Sequence, residues 1–294
     1  MDAFVLGFVA AATALPLATW ADRAARHATP IALGLWIVAA VAAMSAPSLP
    51  SLLLALLYTG GALGLAGLRL VPALERPRIL VDELAIAAAH ALPIGGGVWL
   101  VIAASGGNLL GFGGDWALLT ASHFHAAGFG AWVMAGLVAR ENLDAPARST
   151  RAAQRAVLLL HPVAYGIVAA GITGAPALEQ LGTASYLALL TVQAALTLRV
   201  VVAGGPRRGR ALLAISALVP AASMGLAADW ALGARSLQLS EMALTHGLLN
   251  ALGFCGLGLL ALGRLDLAPR APRARDGNAR QTHVDPRPEP LGSP

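Results

Sequence analysis

The sequence predicts an all-α, polytopic membrane bundle, and three observations carry that prediction. Hydrophobic residues make up 57% of the 294-residue chain and charged residues only 12%, against about 25% charged in a soluble domain. Mean hydropathy is +0.70. The apolar runs recur at lengths of roughly 18–25 residues, which is the span of a bilayer's hydrocarbon core.

Nine spans follow in chain order: 2–20, 30–46, 50–72, 83–105, 115–139, 153–174, 181–203, 209–229 and 239–263. Their connections alternate in charge. Arg23 and Arg26 follow the first span, and Arg69, Arg76 and Arg78 mark the turn after the third. Arg140, Arg148, Arg151 and Arg155 follow the fifth, Arg207, Arg208 and Arg210 the seventh, and the tail opens at Arg264. The intervening connections 46–50, 106–114 and 175–180 lack arginine, and 230–238 has only Arg235. The positive-inside rule therefore expects the N-terminus outside and the C-terminus in the cytoplasm. "PIGGG" (93–97) reads as a kink or close helix approach and "GFGG" (111–114) as a turn, since no strand precedes either as in a phosphate loop. The bundle is expected over 1–267, and the Pro- and Arg-rich 268–294, with His283, as a disordered tail.

Every basic side chain is arginine, which with the Ala, Gly and Leu richness points to a GC-rich bacterial genome and the inner or plasma membrane. The net charge of +5 comes mostly from loops and tail, so nucleic acid is not an expected partner. The single cysteine, Cys255, excludes an intrachain disulfide and a Cys-ligated cluster.

An internal repeat is also expected. "IVAAVAAMSAPSL" (37–49) resembles "IVAAGITGAPAL" (167–178), and "LALLYTGGALGL" (54–65) resembles "LALLTVQAALTL" (187–198). "LTASHFHAAGF" (119–129) resembles "LTHGLLNALGF" (244–254). The spacings are similar, so spans 2–5 pair with spans 6–9 as parallel units and span 1 is an addition. Sites in such proteins tend to lie near the midplane between the units. The alignment sets His125 against Asn250.

Polar groups inside lipid are costly and turn toward protein or water. His123, His125, His161, His246 and Asn250 are the intramembrane candidates, with Asp229 and Glu241 as acids at outer helix ends. His123 and His125 stand about 200° apart around a helix, so they cannot share one metal ion from a regular helix. The expectation favours His125 in a cavity with His246 and Asn250. Neutral imidazoles bonded between helices are the plain alternative. Trp116, Phe124, Phe129, Trp132, Tyr165, Tyr186 and Trp230 are the expected pocket aromatics, their faces suited to a developing cation. No HExxH pattern occurs, and no cofactor or metal is expected, although three helices could in principle bring histidines to a haem or metal ion.

"LTASHFHAAGF" together with "ALTHGLLNALGF" resembles the signature region of the YndJ-like family of bacterial integral membrane proteins, mainly over spans 5 to 9. The resemblance implies a multi-helix membrane protein whose shared core includes His123, His125 and His246. Three functions stay open. The first is acid–base catalysis on a lipophilic substrate, such as isoprenoid cyclisation or epoxide opening. The others are proton-coupled transport and haem or copper redox chemistry. Tag-accessibility mapping should find 106–114 on one side of the membrane and both 148–155 and 207–210 on the other. Recovery of 106–114 and 148–155 on the same face would remove the fifth span.

Overall fold

A computed structural model describes residues 2–172, 175–203 and 207–267; the 268–294 tail lies outside them. Among the described residues, nine long helices run in order. They are α1 (Ala3–Ala21), α2 (Arg26–Met44), α3 (Leu49–Leu74), α4 (Val81–Ser105), α5 (115–142), α6 (Arg148–Ile172), α7 (Pro176–Ala203), α8 (Arg207–Ala231) and α9 (Leu239–Leu265). A two-residue hairpin, Asn108–Leu109 against Phe112–Gly113, is the one departure from helix pairing among the described residues. Leu110 and Gly111 turn it with φ of 56° and 88°; the glycine takes that angle freely and the leucine at a cost.

Eight of the nine helices are long and apolar enough to cross a membrane, and the chain is a multi-pass membrane protein. The ninth, α5, is as long but is missing from that set, because Ser122, His123 and His125 lower its apolarity. Its answer is enclosure. α1, α4, α6 and α9 all pack against it. α4 comes close to it at the "PIGGG" run. A Cβ on Gly96 would lie 2.3 Å from Cε1 of His125, and one on Gly95 2.4 Å from Phe124. α4 also breaks just before that run, between Val81–Ala89 and Leu92–Ser105.

α1 is no peripheral addition. Phe8, Ala18 and Leu15 are buried, and the helix lies against α2, α5 and α9. Two helices also widen to i→i+5 hydrogen bonding: α5 over Phe124–Gly130 and α9 over Ala243–Gly247 and Leu249–Gly256. The segments at 124–130 and 249–256 fall at matching places in the two expected repeat units. Such single widened turns collect at functional sites.

The arginine-rich end of the bundle holds a buried ionic network. Arg69 and Arg140, read from sequence as marking cytoplasmic connections, instead sit inside helices α3 and α5 with side chains 8% and 1% exposed. Arg140 donates from Nε and Nη2 to Glu83 Oε1 at 3.0 and 2.8 Å, and from Nη2 to Asp22 Oδ1 at 2.8 Å. Its Nη1 reaches the Leu267 carbonyl at 3.2 Å. Arg69 lies 2.7 Å from Asp22 Oδ2 and 3.5 Å from Glu83 Oε2. The network therefore ties the α1–α2 connection to α3, α4, α5 and the end of α9. Burial pushes the Asp22 carboxyl up, but Arg69, Arg140 and His90 pull it down further, leaving it below its ordinary 3.8.

Removing one partner of a buried pair leaves an unpaired charge in the interior, at a cost of about 3–5 kcal/mol. Arg140→Leu should lower the thermal unfolding midpoint sharply, and a variant that melts with the wild type would contradict a role in holding this end. A carboxyl depressed on folding stabilises the folded state above its unfolded pKa and loses that contribution as pH falls. The share from Asp22 should thus stay intact from neutral pH down to about 4 and fade below it. A midpoint already falling between pH 7 and 5 in wild type, but not in Asp22→Asn, would contradict that.

Candidate functional site

A cavity of about 310 Å³ lies among α1, α5, α6, α7, α8 and α9, and its walls are mostly apolar. Trp116, Glu179, Trp230 and Arg235 stand at the arginine-poor end of the bundle, and Ala126, Ala127, Phe254 and Cys255 form the deep end. From Trp116 to Ala127 along α5 is about 16 Å at 1.5 Å per residue. Arg235 stacks over the Trp230 ring at 5.1 Å, so the mouth has an aromatic–cation rim.

Half of the residues expected from sequence meet in this cavity: His123, His246, Asn250, Trp116, Tyr165, Tyr186 and Trp230. His246 and Asn250 are bound together with Ser223. His246 donates from Nδ1 to the Ser223 carbonyl at 2.7 Å, which leaves Nε2 to accept from Asn250 Nδ2 at 3.2 Å. The same amide donates to the His246 carbonyl at 2.9 Å, while Ser223 Oγ donates to Asn250 Oδ1 at 2.9 Å. Every polar position of this trio is engaged, and both ring nitrogens of His246 are used.

His123 is different. Its Nδ1 donates to the Leu119 carbonyl at 2.8 Å, so its Nε2 carries a lone pair, and the residue lines the cavity. Tyr165 also lines it, and its hydroxyl has no hydrogen-bond partner among the described residues. Gly128 makes room for that ring, since a Cβ there would sit 3.3 Å from its Cζ.

The expectation for His125 is corrected. It does not line the cavity but is wholly buried on the opposite face of α5. Its Nδ1 donates to the Ala121 carbonyl at 2.7 Å and its Nε2 accepts from the Tyr58 hydroxyl. Phe8 of α1 meets its ring edge-on. The 200° separation placed the two imidazoles on different faces; the packing of α1, α3 and α4 decided which face was closed.

Four other expected residues serve packing. His161 donates from Nε2 to the Ala127 carbonyl at 2.9 Å and stacks on Trp132, with planes 9° apart. Trp132 donates to the Leu158 carbonyl. Phe129 is buried edge-on to His90, and Phe124 packs on Gly95 and Tyr165. The two acids are local caps. Asp229 accepts from the Ser236 amide and hydroxyl, both at 2.9 Å, and Glu241 accepts from the Gln238 amide at 2.7 Å. Neither lines the cavity.

The cavity carboxylate is instead Glu179, which the sequence reading missed. Its signal was present: Glu179, Thr183, Tyr186 and Leu190 follow one helix face at i, i+4, i+7 and i+11, and all four line the cavity. Among the described residues no three His, Cys, Asp or Glu side chains are grouped to hold a metal ion.

These features define a multi-pass membrane protein with a histidine-bearing apolar chamber opening at one end. The sequence profile of the YndJ-like protein family matches residues 4–254, and the chain belongs to that family. The match reaches across the first four helices as well as the later five. Searches of curated proteins and of solved structures return no match.

The pairing of Tyr58 with His125 should be structural. Tyr58→Phe leaves a buried imidazole nitrogen without its donor, at about 1–3 kcal/mol. Thermal unfolding of the purified protein should show the loss, and an unchanged midpoint would contradict the bond.

Proposed function

We propose that this protein is a bacterial inner-membrane enzyme that performs acid–base chemistry on a lipophilic substrate, with its N-terminus outside and its C-terminus in the cytoplasm. The observation that carries this reading is His123: one imidazole nitrogen is fixed as a donor to its own helix, the other keeps its lone pair, and the residue lines an apolar chamber. Histidine is the side chain suited to taking and returning a proton near neutrality. The faces of Trp116, Tyr165, Tyr186 and Trp230 supply a wall that stabilises developing positive charge. Cyclisation or ring opening of an isoprenoid uses both features and needs no redox partner. The Ser223–Asn250–His246 trio holds the opposite wall in one arrangement.

A second reading, proton-coupled transport, draws on the widened turns at 124–130 and 249–256. Irregular segments at matched positions in two repeat units are a mark of transporters, and a chamber open at one end would be one of two alternating states.

Membranes containing the protein should convert a member of a panel of linear and epoxidised isoprenoids, read by mass spectrometry. General acid–base groups contribute about 10²–10⁴-fold, so His123→Gln should lower turnover by that factor at near-normal thermal stability. A fully active His123→Gln would remove the catalytic role, and uptake of unaltered compound into vesicles would favour the transport reading.

A further inference from the structure

The polar groups facing the chamber differ in kind from those at its mouth. Charged side chains, Glu179 and Arg235, stand only at the arginine-poor end, and they are of opposite sign. Deeper in, the polar atoms with no partner among the described residues are the His123 Nε2, an acceptor, and the Tyr165 Oη, a donor, with the Thr183 hydroxyl one turn in from Glu179. The other polar groups on the wall are already taken: Tyr186 donates to the Ala127 carbonyl at 2.7 Å, Cys255 to Ala126 at 3.3 Å, and His246 and Asn250 bond within their trio.

We infer that the ligand is a neutral lipophile bearing one hydroxyl or carbonyl oxygen, held between the Tyr165 hydroxyl and the His123 Nε2. The inference deepens the proposed function and rests on its premise that this chamber is the working site. A hydroxyl satisfies both groups, donating to His123 and accepting from Tyr165, whereas a carbonyl satisfies Tyr165 alone. A plain hydrocarbon leaves both unmatched in an apolar setting, which is unfavourable. A carboxylate or ammonium head would enter with no counter-ion at that depth, which is worse. The chamber is at the small end of ligand pockets, which run to about 300–1,000 Å³, so the oxygen rides on a modest hydrocarbon body.

The test is binding to the full-length protein in nanodiscs, corrected for partition into protein-free nanodiscs. The probes share one chain length: decan-1-ol, decan-2-one, decane, decanoate and decyltrimethylammonium. The alcohol and ketone should bind at least several-fold tighter than the other three. A lost hydrogen bond corresponds to roughly fivefold in affinity. Tyr165→Phe should therefore weaken the ketone by about that factor and the alcohol less, while His123→Leu should weaken the alcohol and spare the ketone. Equal binding of decane and decanol, a preference for either charged probe, or equal weakening of all probes by both substitutions would overturn the inference. Selective binding without turnover of any isoprenoid would uphold the ligand class while defeating the enzymatic reading.

Discussion

Helix α5 carries Ser122, His123, His125, Arg140 and Asn142 along a single span, and hydrocarbon solvates none of them. Each must find a partner within the protein, because an unpaired polar group in lipid costs several kcal/mol. That requirement places α5 inside the bundle, ringed by α1, α4, α6 and α9. It also divides the helix by depth. Near the arginine-rich end the guanidinium of Arg140 is met by Asp22 and Glu83, and Asn142 donates to Gln154 and the Leu196 carbonyl. In the middle His125 is met by Tyr58. Only His123, nearer the arginine-poor end, keeps an uncommitted nitrogen, and it keeps it beside a cavity.

The widened turns and the first helix shape that cavity. A π-type turn adds a residue per hydrogen-bonded ring and shifts every side chain beyond it around the axis. In α5 it begins one residue after His123, so the faces above and below that point are not in simple register. α1 packs against both α5 and α9, with Phe8 against the His125 imidazole and Gly7 approaching the Ala243 carbonyl of α9. The imidazole that the repeat alignment set opposite Asn250 instead meets Phe8 of α1, Tyr58 of α3 and Gly96 of α4. The other one, His123, shares the chamber with Asn250.

The all-α membrane bundle was legible in the sequence, because lipid imposes length and apolarity on its spans directly. Helix ends differ from the expected ones by a few residues, as at 115–139 against 115–142. The site was legible in part. His123, His246 and Asn250 stood out as polar residues in apolar runs, and they do line one cavity. Which of two neighbouring imidazoles faces inward depends on α1, whose packing leaves no periodic trace in the sequence of α5. Arg69 and Arg140 looked like topology markers because their burial depends on Asp22 and Glu83, acids that are far away in the chain. Glu179 was missed because it sits in the first turn of a helix, where an acid is favoured by the dipole alone.

The central claim is that the face of α5 bearing His123 opens to a chamber and the face bearing His125 is closed by α1, α3 and α4. Cysteine accessibility tests it most directly. In a Cys255→Ala background, His123→Cys and His125→Cys would each be exposed to a small neutral methanethiosulfonate in intact membranes, with modification read by mass. The account predicts rapid labelling at position 123 and protection at position 125 until the protein is denatured. Faster labelling at 125 than at 123, or equal labelling of the two, would contradict it.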